Sequence, residues 1–214
     1  MIMDNVFDID GTLTIPGYDL WLLTTKNLAR DENEFLDLVD NWKQSFTQEN
    51  IIESSRAMME AGVNLYDYQS HHVKEACLKI VLHLSKSLTL VRPKAIELIK
   101  EKLHKGEGVC FSTANYVDAA RGFLDALVTL ELLTQLEASQ IEVQGSTISK
   151  HEHGSSVSHI NVAENKTVSM SSIKSAYGDD PTGNDRGLAS IAEDFYVIDT
   201  PKNKSISQYK RLVW

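Results

Sequence analysis

Cysteine is scarce: only Cys77 and Cys110 occur in the 214 residues. They stand far apart among apolar neighbours, which predicts buried thiols of a reducing, cytoplasmic setting and excludes a disulfide framework. Basic charge is also short. Twenty-one Lys and Arg face 30 Asp and Glu, for a formal net charge of −9. That balance argues against a nucleic-acid partner, although a local metal ion can still reverse the sign inside a pocket. No apolar run reaches the ~20 residues of a membrane helix, so no membrane partner is expected. The opening Met-Ile-Met-Asp-Asn has neither a signal-peptide nor an arm pattern. There is no repeat and no low-complexity tract. What is present is 42% hydrophobic content, enough for one domain of ordinary size with a smaller insert.

The informative stretch is residues 5–14, Asn-Val-Phe-Asp-Ile-Asp-Gly-Thr-Leu-Thr. Val6, Phe7 and Ile9 suit a short buried strand. Asp8 and Asp10 interrupt it, and Gly11-Thr12 turns the chain. An unpaired carboxylate in such a strand costs several kcal/mol, roughly. Two this close call for a cation or a shared proton.

From about residue 18 to 87 the pattern is helical. Leu20, Leu23 and Leu28 mark a first helix. Asp31 is placed to cap a second, with Glu34 as a capping-box partner and Phe35, Leu38, Val39, Trp42 and Phe46 on one face. Thr47 is placed to cap a third that ends at Gly62, and a fourth spans about 66–86. Four helices with short turns predict a small all-helical bundle inserted after the first strand. Strand–helix alternation resumes near residue 90, with Pro93 at a helix start and a buried strand at Gly108–Phe111. A helix follows from about Val117, then a strand at Ile141–Val143, an irregular or hairpin-like stretch over 145–162, and strands at Ile173–Tyr177 and Phe195–Ile198. This alternation predicts an α/β chain with a doubly wound, Rossmann-like parallel sheet. Ligands of such sheets sit at the carboxyl ends of strands, where Asp8, Ser112 and Asp179 fall.

The stretch FDIDGTLT resembles the first motif of the haloacid dehalogenase superfamily, the DxDGT phosphohydrolases. The resemblance extends over residues 5–14 and about 90–200 and looks closest to the branch that includes phosphoserine phosphatase. It implies a core of residues 1–14 and 89–214 with a helical cap at 15–88. It implies Asp8 as nucleophile and Asp10 as acid/base. Ser112 after Val109-Cys110-Phe111 resembles the second motif, with Thr113 as the fallback, and Thr12 joins them as a phosphate-binding residue. Ala163-Glu164-Asn165-Lys166 resembles the third motif, whose lysine holds a phosphoryl oxygen. Few residues separate Lys166 from the next motif, so Lys150 and Lys174 remain alternatives. Tyr177-Gly178-Asp179-Asp180 resembles the start of the acidic fourth motif. Asn184-Asp185 resembles its end, with the loop between them lengthened.

The resemblance implies Mg²⁺ held by Asp8, the Asp10 main chain and Asp179, with Asp180 as the alternative and Asp185 bracing the site from behind. It implies a phosphatase acting on a small phosphorylated metabolite. The runners-up are a phosphotransferase or mutase of the same superfamily, and a non-catalytic binding protein of that fold. Relatives often carry a substrate-contacting acid where this chain has Gly17, and the nearest acid is Asp19. Phosphoserine is therefore expected to be a poor substrate, and an uncharged or aromatic phosphomonoester a better one. His151, His153 and His159 read as a polar loop. Trp21, Trp42, Tyr18 and Tyr66 read as bundle core, with one or two lining a pocket.

Overall fold

In a computed structural model the described residues are 2–214 without Gln48, His153 and Val168, and without the side chains of Ile2 and Pro201. A seven-stranded sheet runs in the order β4-β3-β2-β1-β5-β6-β7. Its strands are β1 (Ile2–Phe7), β2 (Val109–Tyr116), β3 (Ile141–His151), β4 (Gly154–His159), β5 (Ser172–Gly178), β6 (Ala192–Ile198) and β7 (Lys210–Leu212). All pairs are parallel except the β3–β4 hairpin.

β1 lies at the centre because its residues are apolar on both faces, as a parallel strand covered on two sides requires. Register assigns each residue to a face. Val6 stands between Cys110 and Ala176, and Phe7 between Phe111 and Tyr177. Val6, Cys110 and Ala176 join Ile173, Leu188, Phe195 and Val197 in one core. Phe7, Phe111 and Tyr177 join the larger core on the other face. Phe7 stacks on Tyr177 with ring centroids 4.2 Å apart. The larger core is covered by α5 (Pro93–His104) and α6 (Val117–Thr129), and the smaller by α8 (Arg186–Ile191).

Residues between β1 and β2 form α1 (Leu20–Leu28), α2 (Glu32–Ser45), α3 (Ile51–Asn64) and α4 (Ser70–Leu84) ahead of α5. The chain leaves the sheet and returns at one place. Ile15 donates to Leu90 O (2.9 Å) and Arg92 to Leu13 O (2.9 Å). Asp31 caps α2 by accepting from Asn33 N and Glu34 N. Asn50 rather than Thr47 occupies the N-cap position of α3, and its Oδ1 accepts from the Thr47 hydroxyl at 2.8 Å.

The inserted helices share the larger core with the sheet layer. α4 crosses α6 at Gly122, where an added Cβ would stand 2.2 Å from Lys74 O, so only glycine allows the approach. Tyr68 donates to Asp118 Oδ2 (2.6 Å), Tyr116 to Met59 O (3.0 Å) and Arg56 to Val157 O (2.7 Å). Three elements are shorter than the sequence pattern resolves: α7 (Gln135–Ser139), α8 and β7. No helix among the described residues is long and apolar enough to cross a membrane.

Candidate active site

Asp8 is the first residue beyond β1, and its N–H continues the ladder by donating to Tyr177 O (2.9 Å). Asp179 is the first residue beyond β5, so parallel pairing sets the two acids on neighbouring strand ends. Between them the chain makes one tight turn, Ile9–Leu13, closed by Thr14 N donating to Ile9 O (3.0 Å). Gly11 sits in that turn at φ +79°, and an added Cβ would meet Asp179 Oδ2 at 2.5 Å. The turn needs a left-handed residue and the acid beside it needs a bare one; glycine satisfies both. Arg92 holds the turn from outside, donating to Thr14 O (3.2 Å) and Gly11 O (3.4 Å).

Lys166 comes from a 3-10 turn over Ala163–Thr167 and is fully buried. Its Nζ donates to Asp8 Oδ1 and Asp185 Oδ1, both at 2.7 Å, and reaches Ser112 O at 3.5 Å. Burial alone would depress this amine, but Asp185 and Asp8 outweigh it and hold the lysine charged. Burial and Asp185 push Asp8 upward, with Lys166 opposing. Lys150 pairs with Asp67 (3.8 Å) and Lys174 is exposed, so neither is the lysine that reaches Asp8.

Asp185 uses both oxygens: Oδ1 accepts from Lys166 and Oδ2 from Asp180 N at 3.1 Å. Asp8, Asp179 and Asp185 bring ligand-type oxygens within 4.8 Å of one another, the only such group of three among the described residues. The Asp179 carboxylate has no hydrogen-bond partner among the described residues, and burial and then Asp185 push it up to about 7. Hard, crowded carboxylate oxygens, three acids with one lysine between them, fit a divalent cation such as Mg²⁺. Asp180 is differently employed. It pairs with Lys202 (3.1 Å) and its Oδ2 accepts from Asn184 N (3.0 Å).

Asp10 stands in the turn beside Asp8, and its Oδ1 accepts from Leu20 N at the start of α1 (2.8 Å). Asp19 is the N-cap of α1, accepting from Leu22 N at 2.9 Å. Burial, followed by the nearby Asp19, pushes Asp10 up to about 8.

A cavity of about 260 Å³ opens between this floor and the inserted helices. Asp8, Asp10, Asp19, Asp179 and Asp180 line it together with Thr113 and Lys202. Trp21, Trp42, Phe46, Met58 and Met59 face them across it. Ser112 is buried behind Thr113, and its hydroxyl accepts from Asn161 Nδ2 (3.1 Å). Thr12 is also buried and does not line the cavity; its hydroxyl has no partner among the described residues. Of the three loop histidines, His151 bonds Ser156, His159 pairs across the hairpin, and His153 lies outside the described residues.

Sequence reasoning passed over Asn161 and Asn203. Asn161 Nδ2 also donates to Thr113 O (2.8 Å), so it fixes both residues of the second motif. Asn203 Nδ2 donates to Asp179 O (2.6 Å) and Ile198 O (3.2 Å), joining the C-terminal segment to the acid loop. A lone Asn in a polar stretch carries no periodic signal. Burial is what distinguishes these two, at 2% and 1% exposure.

No family model and no curated protein matches this sequence. Solved structures do match the fold. A protein of unknown function from Bordetella pertussis superposes with a TM-score of 0.67 at 13% identity, covering 99% of this chain and 98% of that one. Cytosolic 5'-nucleotidase IIIB bound to cytidine gives 0.62 at 11% identity, covering 94% of this chain and 74% of the other. A phosphoserine phosphohydrolase-like protein from Francisella tularensis gives 0.58 at 16%, covering 97% and 94%. The chain shares the fold of these structures, a mainly parallel α/β sheet with helices inserted after its first strand. Within it the strand-end acids, the buried lysine and the inserted helices occupy the positions described above.

Proposed function

We propose that the chain is a Mg²⁺-dependent phosphatase that hydrolyses a small phosphorylated metabolite through an aspartyl-phosphate on Asp8. The observation that carries this reading is the fully buried Lys166 bridging Asp8 and Asp185 beneath a cavity that Asp8 and Asp10 line. A binding module needs a recess; it does not need a buried lysine beside one strand-end acid and a second, proton-bearing acid next to it. The neighbours in fold include a phosphoserine phosphohydrolase-like protein and a nucleotidase, whose names denote chemistry of the same type. The two free, buried cysteines fit the cytoplasmic setting expected from the sequence.

Each residue has a distinct task. Asp8 attacks phosphorus, and its free oxygen is the nucleophile, because Lys166 occupies the other. Asp10, held up to about 8, carries a proton at neutral pH and gives it to the departing oxygen. It then takes a proton from the water that hydrolyses the intermediate. Lys166 keeps Asp8 oriented and offsets negative charge at the phosphoryl oxygens. Thr113 lines the cavity and its hydroxyl would bind phosphate, while Asn161 holds its main chain and the Ser112 hydroxyl. Asp8 and Asp179 would hold Mg²⁺, which supplies charge neutralisation for the phosphoryl group when bound. Residues 15–88 act as a cap that excludes bulk water and selects the leaving group.

The test is phosphate release from a panel of phosphorylated metabolites by the purified chain with Mg²⁺. Asp8→Asn is nearly isosteric and should abolish release while the protein stays folded by circular dichroism. Near-normal turnover in Asp8→Asn would refute the covalent route.

A further inference from the structure

The two halves of the cavity differ in chemistry, and that difference constrains the leaving group. The floor side carries five carboxylates, and Lys202, the one cation among the lining residues, is paired with Asp180 at 3.1 Å. The opposite wall, supplied by α1, α3 and the C-terminal end of α2, is mainly apolar, with Trp21, Leu22, Trp42, Phe46, Met58 and Met59 beside the hydroxyl of Ser55. Trp42 and Phe46 form an angled pair, ring centroids 5.2 Å apart and planes tilted 54°. Tilted aromatics flanked by methionine thioethers are a surface that a flat ring can lie against. A cavity on the order of 150 Å³ holds a benzene ring, so about 260 Å³ leaves room for a ring and a phosphoryl group.

An anionic leaving group fares worse here. A carboxylate on the leaving group would enter among acids and would have to draw Lys202 away from Asp180. Asp19 is the nearest candidate to meet an amine, but one of its oxygens already caps α1. An uncharged aromatic group has neither difficulty and gains the apolar wall.

Resting on the phosphatase reading above, we propose that the substrate is an aryl phosphomonoester whose planar, uncharged ring seats against Trp42, Phe46 and Met58. The reaction is balanced by water alone. The phosphorus–aryloxygen bond breaks as the Asp8–phosphorus bond forms, and the Asp10 proton goes to the aryl oxygen. Water oxygen then bonds to phosphorus, the Asp8–phosphorus bond breaks, and the water proton returns to Asp10. The products are the free phenol and inorganic phosphate.

Two measurements on the full chain with Mg²⁺ test this. In the first, kcat/KM for phenyl phosphate is compared with that for phosphoserine and glycerol 2-phosphate. Phenyl phosphate should lead both by at least about tenfold, the worth of burying a ring of that size. Trp42→Leu and Phe46→Leu, which keep the wall apolar, should shrink the phenyl-to-glycerol ratio severalfold, chiefly through KM. In the second, calorimetry compares phenylphosphonate with methylphosphonate, neither of which is hydrolysed. The phenyl compound should bind at least about tenfold tighter, and Trp42→Leu should narrow the gap. A preference for phosphoserine, or equal binding of the two phosphonates, would overturn the aryl reading while leaving the phosphatase intact. Preferential phenylphosphonate binding with no phosphate released from any ester would do the reverse.

Discussion

The floor and the wall of the cavity are built by opposite means. On the floor most polar groups are held by another: Lys166 by two acids, Asp185 by Lys166 and Asp180 N, Asp10 by Leu20 N, and Ser112 by Asn161, with the Asp179 carboxylate left over. The wall has little such bonding. Phe35 is the one buried residue of α2, and Leu36 on the same helix is 49% exposed. Positions that move charge are bonded rigidly because small displacements are costly in catalysis. Positions that meet a leaving group are held by adaptable apolar contact. The segments pinned together at residues 13–15 and 90–92 are where the two regimes meet.

The contrast is sharpest at Lys166. Replacing it with Met leaves Asp8 and Asp185 buried and unpaired, which should cost about 3–5 kcal/mol and remove activity. The loss should be larger at pH 8 than at pH 5. Burial and Asp185 already hold Asp8 above its unfolded value, and losing the lysine raises it further, so its favourable contribution is present at low pH and lost as pH rises. Urea unfolding at the two pH values reads this. On the wall side, Asp31→Ala removes only the α2 cap and should cost about 0.5–2 kcal/mol. Equal costs at the two sites would erase the distinction between floor and wall.

Next in size is Asp10→Asn, which should slow turnover by roughly 10²–10⁴-fold. It should also change stability in a way that the wall cannot imitate. The folded chain raises Asp10 from the ordinary 3.8 to about 8. Its stabilising contribution is therefore full below about 3.8 and lost as pH climbs through about 8. In metal-free buffer the wild-type melting temperature should fall across that window, and Asp10→Asn should flatten the fall.

How far the sequence reached follows the same divide. The first strand and its acids were legible because carboxylates inside an apolar strand are too costly to be incidental. The parallel sheet was legible from strand–helix alternation, and the register of Val6 and Phe7 agrees with it. Lys166 stood out only through resemblance, since a lysine in a polar stretch usually reads as solvated. Its full burial becomes visible only when the turn at residues 163–167 is folded against the end of β1, β2 and the start of α8. Asn161 and Asn203 gave no signal, because their partners lie on elements remote in the chain or are backbone carbonyls. The insert was legible as helices, but its sharing of one core with the sheet layer was not. Gly122 beneath Lys74 makes that contact, and no periodicity announces it.

Metal dependence separates the two acids of the loop after β5. Activity should vanish in EDTA and return with Mg²⁺. Asp179→Ala should raise the Mg²⁺ concentration for half-maximal rate more than Asp180→Ala does. The Asp179 carboxylate has no hydrogen-bond partner among the described residues and lies close to Asp8, whereas Asp180 is already committed to Lys202 and Asn184. A Mg²⁺ titration of both variants that ranked them the other way would assign the metal to Asp180.

The smallest expected effect lies at Asp19, where floor and wall touch. Asp19 lines the cavity, caps α1, and is the second cause, after burial, of the raised Asp10 carboxyl. Asp19→Asn keeps the cap, because asparagine serves about as well as aspartate at a helix N-terminus. It removes only the charge. Asp10 then loses its proton at lower pH, and the basic limb of the pH–rate profile should move toward neutrality. The rate below that limb should stay within about twofold, because Asp10 remains protonated there and its bond from Leu20 N is untouched. A limb that stays in place would mean burial alone sets the acidity of Asp10. The wall would then have no electrostatic hold on the floor, and its influence would end at the apolar contacts with the leaving group.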